Sequence, residues 1–158
     1  MVKSCDVGSF PPVEDSKKFV DGANSFSLPS ATDEPAKLFE TTVLNGFLDK
    51  IGAGIEVPNF PQFRDMNEMF LSMIDGVERV DGGYIETRIP SLKQDRNCIP
   101  EVTVIQKHSQ LIQEKKGAPF EMRVCVTGPY TLASFFPYKR ADIFSKLGDI
   151  ISQITENS

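Results

Sequence analysis

The chain has no tryptophan, one histidine and three cysteines, and each scarcity removes a class of chemistry. Cys5, Cys98 and Cys125 are widely spaced and odd in number, with no C-x-x-C pair. That argues against a disulfide framework and against a self-contained zinc site, and a reduced, cytoplasmic compartment is the expectation. His108 stands beside Ser109 in a helical stretch and reads as a surface or packing residue rather than a metal ligand. No apolar run is long enough to span a bilayer, and Asp6, Glu14 and Asp15 near the amino terminus do not suit a secretory signal. Basic residues are outnumbered, 17 against 22 acidic ones, giving a net charge of −5 at pH 7. Nucleic acid and anionic membrane surfaces are therefore excluded as main partners, since both call for basic patches.

What is present is the mix of an ordinary globular domain: 40% apolar and 25% charged residues over 158 positions, enough for one domain with a buried core. Val7 to Phe10 reads as a short strand ending in Gly-Ser-Phe-Pro-Pro. Residues 12–35 are rich in Ser, Asp, Gly, Asn and Pro and read as a long irregular connection, pinned by Phe19, Val20, Phe26 and Leu28. A helix is expected from about Glu34 to Ile51, where Phe39, Val43, Phe47 and Ile51 recur every fourth residue. Thr32 or Asp33 can cap it, and Gly52 and Gly54 mark its end. Ile55 to Val57 reads as a second strand stopped by Pro58. From Asp65 the residues Met66, Met69, Phe70, Met73, Ile74 and Val77 fit a second amphipathic helix.

Gly82-Gly83 turns the chain into a third strand, Tyr84 to Ile89, ended by Pro90. Pro100 suits the first turn of a third helix running to about Lys116, stopped by Gly117. Phe120 to Thr127 alternates like a fourth strand, followed by a short helix at 130–136 and a last one from Ala141 to Thr155. Strands alternating with helices imply parallel pairing with helical crossovers. Two architectures fit: an open doubly wound sheet, or part of a (β/α)8 barrel. A full barrel needs roughly 250 residues, so this length corresponds to about four of its βα units. Pattern alone does not choose between them.

Three segments bear on that choice. They are Val7-Gly8-Ser9-Phe10-Pro11, the stretch Asn59-Phe60-Pro61-Gln62-Phe63-Arg64-Asp65-Met66, and Thr127-Gly128-Pro129-Tyr130-Thr131. In this order they resemble the strand-end motifs of the catalytic barrel of cobalamin-independent methionine synthases and their archaeal single-barrel relatives. The resemblance implies the amino-terminal half of a TIM-type (β/α)8 barrel, a single partial domain over 1–158 that stops before the family's zinc-ligand half. It also implies methyl transfer from a folate or corrinoid donor to a thiol such as homocysteine. A uroporphyrinogen-decarboxylase-like barrel has less support, because no arginine-rich segment lies near Gly8. A flavodoxin-like sheet lacks its phosphate loop.

The candidate binding residues lie in those motifs. Gly8 lets a backbone approach a ligand closely, Ser9 offers an amide and a hydroxyl, and Phe10 follows them. The resemblance implies that this turn holds the amino-acid end of homocysteine; the plain alternative is a tight turn. Gln62 and Arg64 point into the site or into solvent. Asp65 reads first as a helix cap and second as a substrate contact. Thr127 and Gly128 open a helix whose amides could receive an anion, or form an ordinary turn. Asn59 and Phe60 stand where the family carries Gly-Glu, and Phe135 where it carries Trp, which leaves donor and acceptor open.

The family's zinc, which would turn a bound thiol into a thiolate, is held by ligands this chain lacks, so no cofactor is expected here. No catalytic residue is assigned. A half barrel would leave sheet edges uncovered, so a homo-oligomer or a complementary half-barrel chain is the expected partner, with a small-molecule substrate. Two functions follow: a methionine synthase-like methyltransferase fragment, inactive alone, or a non-catalytic accessory half barrel.

Overall fold

The computed structural model describes residues 2–26 and 33–158. In chain order the elements are α1 (Ser16–Phe26), α2 (Glu34–Gly52), α3 (Met66–Ser72), β1 (Ile74–Val80), β2 (Gly83–Leu92), α4 (Pro100–Lys107), α5 (Ser109–Lys116), α6 (Pro129–Ala133) and α7 (Ala141–Asn157). The described residues thus hold seven helices and one two-stranded antiparallel sheet. This overturns the expected half barrel of about four βα units, and an open parallel sheet with it.

The physical reasons lie in two places. The segments expected as the first, second and fourth strands do run parallel, but only single bridges join them: Cys5 with Val57, Ser9 with Gln62, and Asn59 with Arg123. Pro11, Pro12, Pro58 and Pro61 have no amide to give a ladder. The Asp6 carboxylate meanwhile takes the amides of Gly8 (2.8 Å) and Asn59 (2.7 Å). The second place is Ile74 to Val77, expected as helix. Here α3 ends at Ser72 and the chain turns into β1, which pairs with β2 from Val80↔Gly83 to Ile74↔Leu92. Asp81-Gly82 is the two-residue loop of this hairpin, a strong local signal that outweighs the helical spacing of Ile74 and Val77, and the register shift between Asp75 and Val77 accommodates the mismatch.

Other boundaries shift less. Residues 16–26, expected to be irregular, form α1. Leu28 and Thr32 lie outside the described residues; Asp33 caps α2 by accepting from the Ala36 amide at 3.0 Å. The expected third helix breaks at His108 into α4 and α5, and Gly117 ends the second piece.

The chain divides into two compact units, each assembled from two separate stretches. The first comprises residues 1–64 and 99–125. Its core joins α1, α2 and α4 through Phe19, Phe39, Val43, Phe47, Val102 and Ile105, all buried. The second comprises residues 65–98 and 126–158. In it α7 packs Ile143, Leu147, Ile150 and Ile154 against β2 and α6. Among the described residues no helix is long and apolar enough to cross a membrane.

Candidate functional site

The first unit brings Gly8, Ser9, Phe10 and Gln62 together. Gln62 N–H donates to the Gly8 carbonyl and Phe10 N–H to the Gln62 carbonyl, both at 2.9 Å. Gly8 has φ +95°, which favours glycine. A Cβ there would stand 2.6 Å from Asn59 Nδ2 and 2.7 Å from Gln62 Nε2. The two motif segments therefore lie in direct contact, and only a residue without a side chain permits it.

The Asn59 side-chain amide is fully buried, with a partner at both its nitrogen and its oxygen. Its Nδ2 donates to the Val7 carbonyl (3.1 Å), and its Oδ1 accepts from the Cys125 amide (3.3 Å). Gln62 differs. It is 8% exposed, and its Nε2 is the one buried side-chain nitrogen or oxygen among the described residues with no hydrogen-bond partner. An unmet buried donor costs free energy, on the order of 1–3 kcal/mol, and such exceptions call for an explanation. Ser9 is exposed, Phe10 is half-buried, and the Phe10 ring packs on Phe63 at 4.8 Å.

Beneath the turn lies Lys50 of α2, a residue that helical periodicity did not single out. It is 5% exposed. Its Nζ sits 2.7 Å from Asp6 Oδ2 and donates to the carbonyls of Asn59 (2.9 Å) and Gly8 (3.3 Å). It also lies 5.0 Å from the centre of the Phe10 ring, within cation–π range. Burial pushes the Lys50 ammonium below the ordinary lysine range, against the pull of Asp6. Burial also opposes the Asp6 charge, but Lys50 and the amides of Asn59 and Gly8 outweigh it and hold that carboxyl below its usual range. The signal for Lys50 was available: it falls three residues after Phe47 and seven after Val43, on the buried face of α2.

Arg64 belongs to the same unit but is engaged elsewhere. Its guanidinium makes a two-pronged pair with Glu101 at 2.8 and 2.7 Å, with side chains 8% and 1% exposed. Phe60, which stands where the resemblance would place a glutamate, is fully buried.

The remaining candidates lie in the second unit, each at a backbone junction. Asp65 caps α3, its Oδ1 accepting from the amides of Asn67 (2.8 Å) and Glu68 (2.9 Å). Thr127 is half-buried ahead of Gly128, which starts the five-residue α6 without a side-chain cap. Phe135 offers its carbonyl to the Tyr84 amide at 2.8 Å. That approach requires Gly83, where a Cβ would stand 2.2 Å from the same oxygen.

The residues present do not fit zinc. No three His, Cys, Asp or Glu come together among the described residues, and the His108 ring nitrogen lies 2.7 Å from Glu40. None of the family models, curated proteins or solved structures compared with this chain matches it.

Proposed function

We propose that the chain is the ligand-binding part of a methionine synthase-like methyltransferase. In this reading it takes up a small amino-acid thiol such as homocysteine on the Gly8–Phe10 turn and Gln62. A methyl group then comes from a folate or corrinoid donor, with the zinc ligands supplied by a further segment or a partner chain of different sequence. The chain alone binds without turnover. The three free cysteines suit a reducing, cytoplasmic compartment.

The observation that carries this reading is the unpartnered Gln62 Nε2 beside Gly8. A buried donor left unmet at the junction of two motif segments suits a ligand oxygen. Calorimetric titration of L-homocysteine into the full chain tests it. We expect saturable binding, weakened about tenfold in Gln62→Leu, whose urea midpoint holds or rises because an unmet donor has been removed. Undiminished affinity in Gln62→Leu, or no binding by the wild-type chain, would sink the proposal.

A second reading is a non-catalytic binding subunit, favoured by the burial of Phe60 and the occupation of Arg64 by Glu101. It expects the same binding, with no methyl transfer even when a polypeptide carrying a His-Cys-Cys-Glu zinc set is added. Transfer under those conditions selects the first reading.

A further inference from the structure

We propose that Lys50 is the positioning residue of the Gly8–Phe10 turn: its ammonium pins the Gly8 carbonyl inward and thereby aims the Ser9 amide outward, toward a ligand's oxygen. The inference rests on the ligand-binding reading of that turn and adds to it a residue outside every motif.

The argument begins with the peptide plane. In a trans peptide the carbonyl of one residue and the amide of the next point in opposite directions. Here the Gly8 carbonyl is held twice on one side, by Gln62 N–H at 2.9 Å and by Lys50 Nζ at 3.3 Å. The Ser9 N–H must then face the other way. Ser9 is exposed, and its amide has no hydrogen-bond partner among the described residues. The preceding peptide is held as well, since Asp6 Oδ2 takes both the Gly8 amide at 2.8 Å and the Lys50 ammonium at 2.7 Å. One cation thus governs both peptide planes that flank Gly8.

Lys50 itself does not reach a ligand. An ammonium has three donors, and Asp6, Asn59 and Gly8 take all three. Stability alone would be served by an apolar residue, as at Phe39, Val43 and Phe47 on the same face of α2. Replacing a buried ion pair by well-packed apolar groups is often neutral or stabilising. A buried cation at this position is therefore accounted for by the geometry it imposes on the turn.

The test uses the full chain as wild type, Lys50→Met and Asp6→Asn. It has two readouts, amide hydrogen exchange and calorimetric affinity for L-homocysteine and its carboxamide. The first reports the latch and the second reports what the latch aims. We expect the wild type to prefer the free carboxylate over the carboxamide. In Lys50→Met that preference shrinks about tenfold, and the Phe10 and Gln62 amides exchange about tenfold faster. The Ile112 amide, bonded to the His108 carbonyl in α5, keeps its wild-type rate. Should Lys50→Met fail to fold, Asp6→Asn, which leaves the ammonium in place but removes its counter-charge, is expected to move both readouts in the same direction. Unchanged exchange and unchanged preference in the variants would overturn the inference. A wild-type chain that binds neither compound instead overturns the ligand reading, and the exchange rates then report the latch alone.

Discussion

Arg64 and Glu101 show how a residue's neighbours decide its role. Alone in the sequence, Arg64 is a cation in a loop that resembles a substrate-binding one. In the fold it is one half of a buried, two-pronged ion pair with Glu101, and its ring neighbour is Phe39 at 6.0 Å. Breaking such a pair leaves a buried charge uncompensated, at about 3–5 kcal/mol. Arg64→Met is accordingly expected to lower the unfolding free energy by about that amount in urea titrations, and Glu101→Gln by a similar amount. The double replacement Arg64→Met with Glu101→Leu should lose much less than the sum, because no orphan charge remains. Strict additivity would contradict the pairing. Gly8 was expected to admit a ligand or to form a tight turn, and in the fold its bare backbone, at φ +95°, admits the side chains of Asn59 and Gln62. Lys50 and Glu101 were not singled out and Asn59 was noted only beside Phe60, because the partners that give these residues their roles lie far away in the chain.

At the scale of elements, local chemistry located most helices and misjudged the strands. The signals for α2, α4 and α7 are side-chain spacing, joined by the Asp33 cap of α2 and by Pro100 in the first turn of α4, and they act within a few residues. Strand signals are weaker, because a strand exists only when a partner completes its ladder. Ile55 to Val57 and Phe120 to Thr127 were read as strands, yet prolines and the Asp6 carboxylate leave them with single bridges. The hairpin β1–β2 was half seen, its turn and second strand expected and its first strand taken for helix. Within the second unit this hairpin is tied to α3 by Tyr84, whose hydroxyl donates to Glu68 at 2.7 Å. Burial, then the Glu68 carboxylate, push the Tyr84 phenol up to about 12. A phenol raised in the fold adds stability that is whole below its unfolded value of 10.0 and is lost as pH rises toward about 12. The urea midpoint should therefore fall across that window. Tyr84→Phe should flatten the fall, and an equally steep decline in the variant would show that Tyr84 is not its source.

For the whole molecule, neither unit is contiguous in sequence. The first is completed by residues 99–125 and the second by residues 126–158. A fragment ending at Cys98 would lose α4 from the face of α2 and α7 from the face of β2. We expect residues 1–98 to lack a cooperative urea transition, since each remaining half exposes the core it would have buried. A sharp, reversible transition in that fragment would refute the interleaved arrangement. The sequence by itself determined the short-range features: the spans of the longer helices, the Asp33 cap of α2, the Gly8 turn, a turn at Gly82-Gly83 and the net acidity. Each rests on interactions a few residues long or on a plain sum of charges. Only the tertiary structure decided that the alternating pattern yields no parallel sheet, that Arg64 is consumed by Glu101, and that Lys50 lies under the Gly8–Phe10 turn. Those outcomes depend on pairings across tens of residues, where competing partners differ by a few kcal/mol at most and local preference carries no information about which one wins.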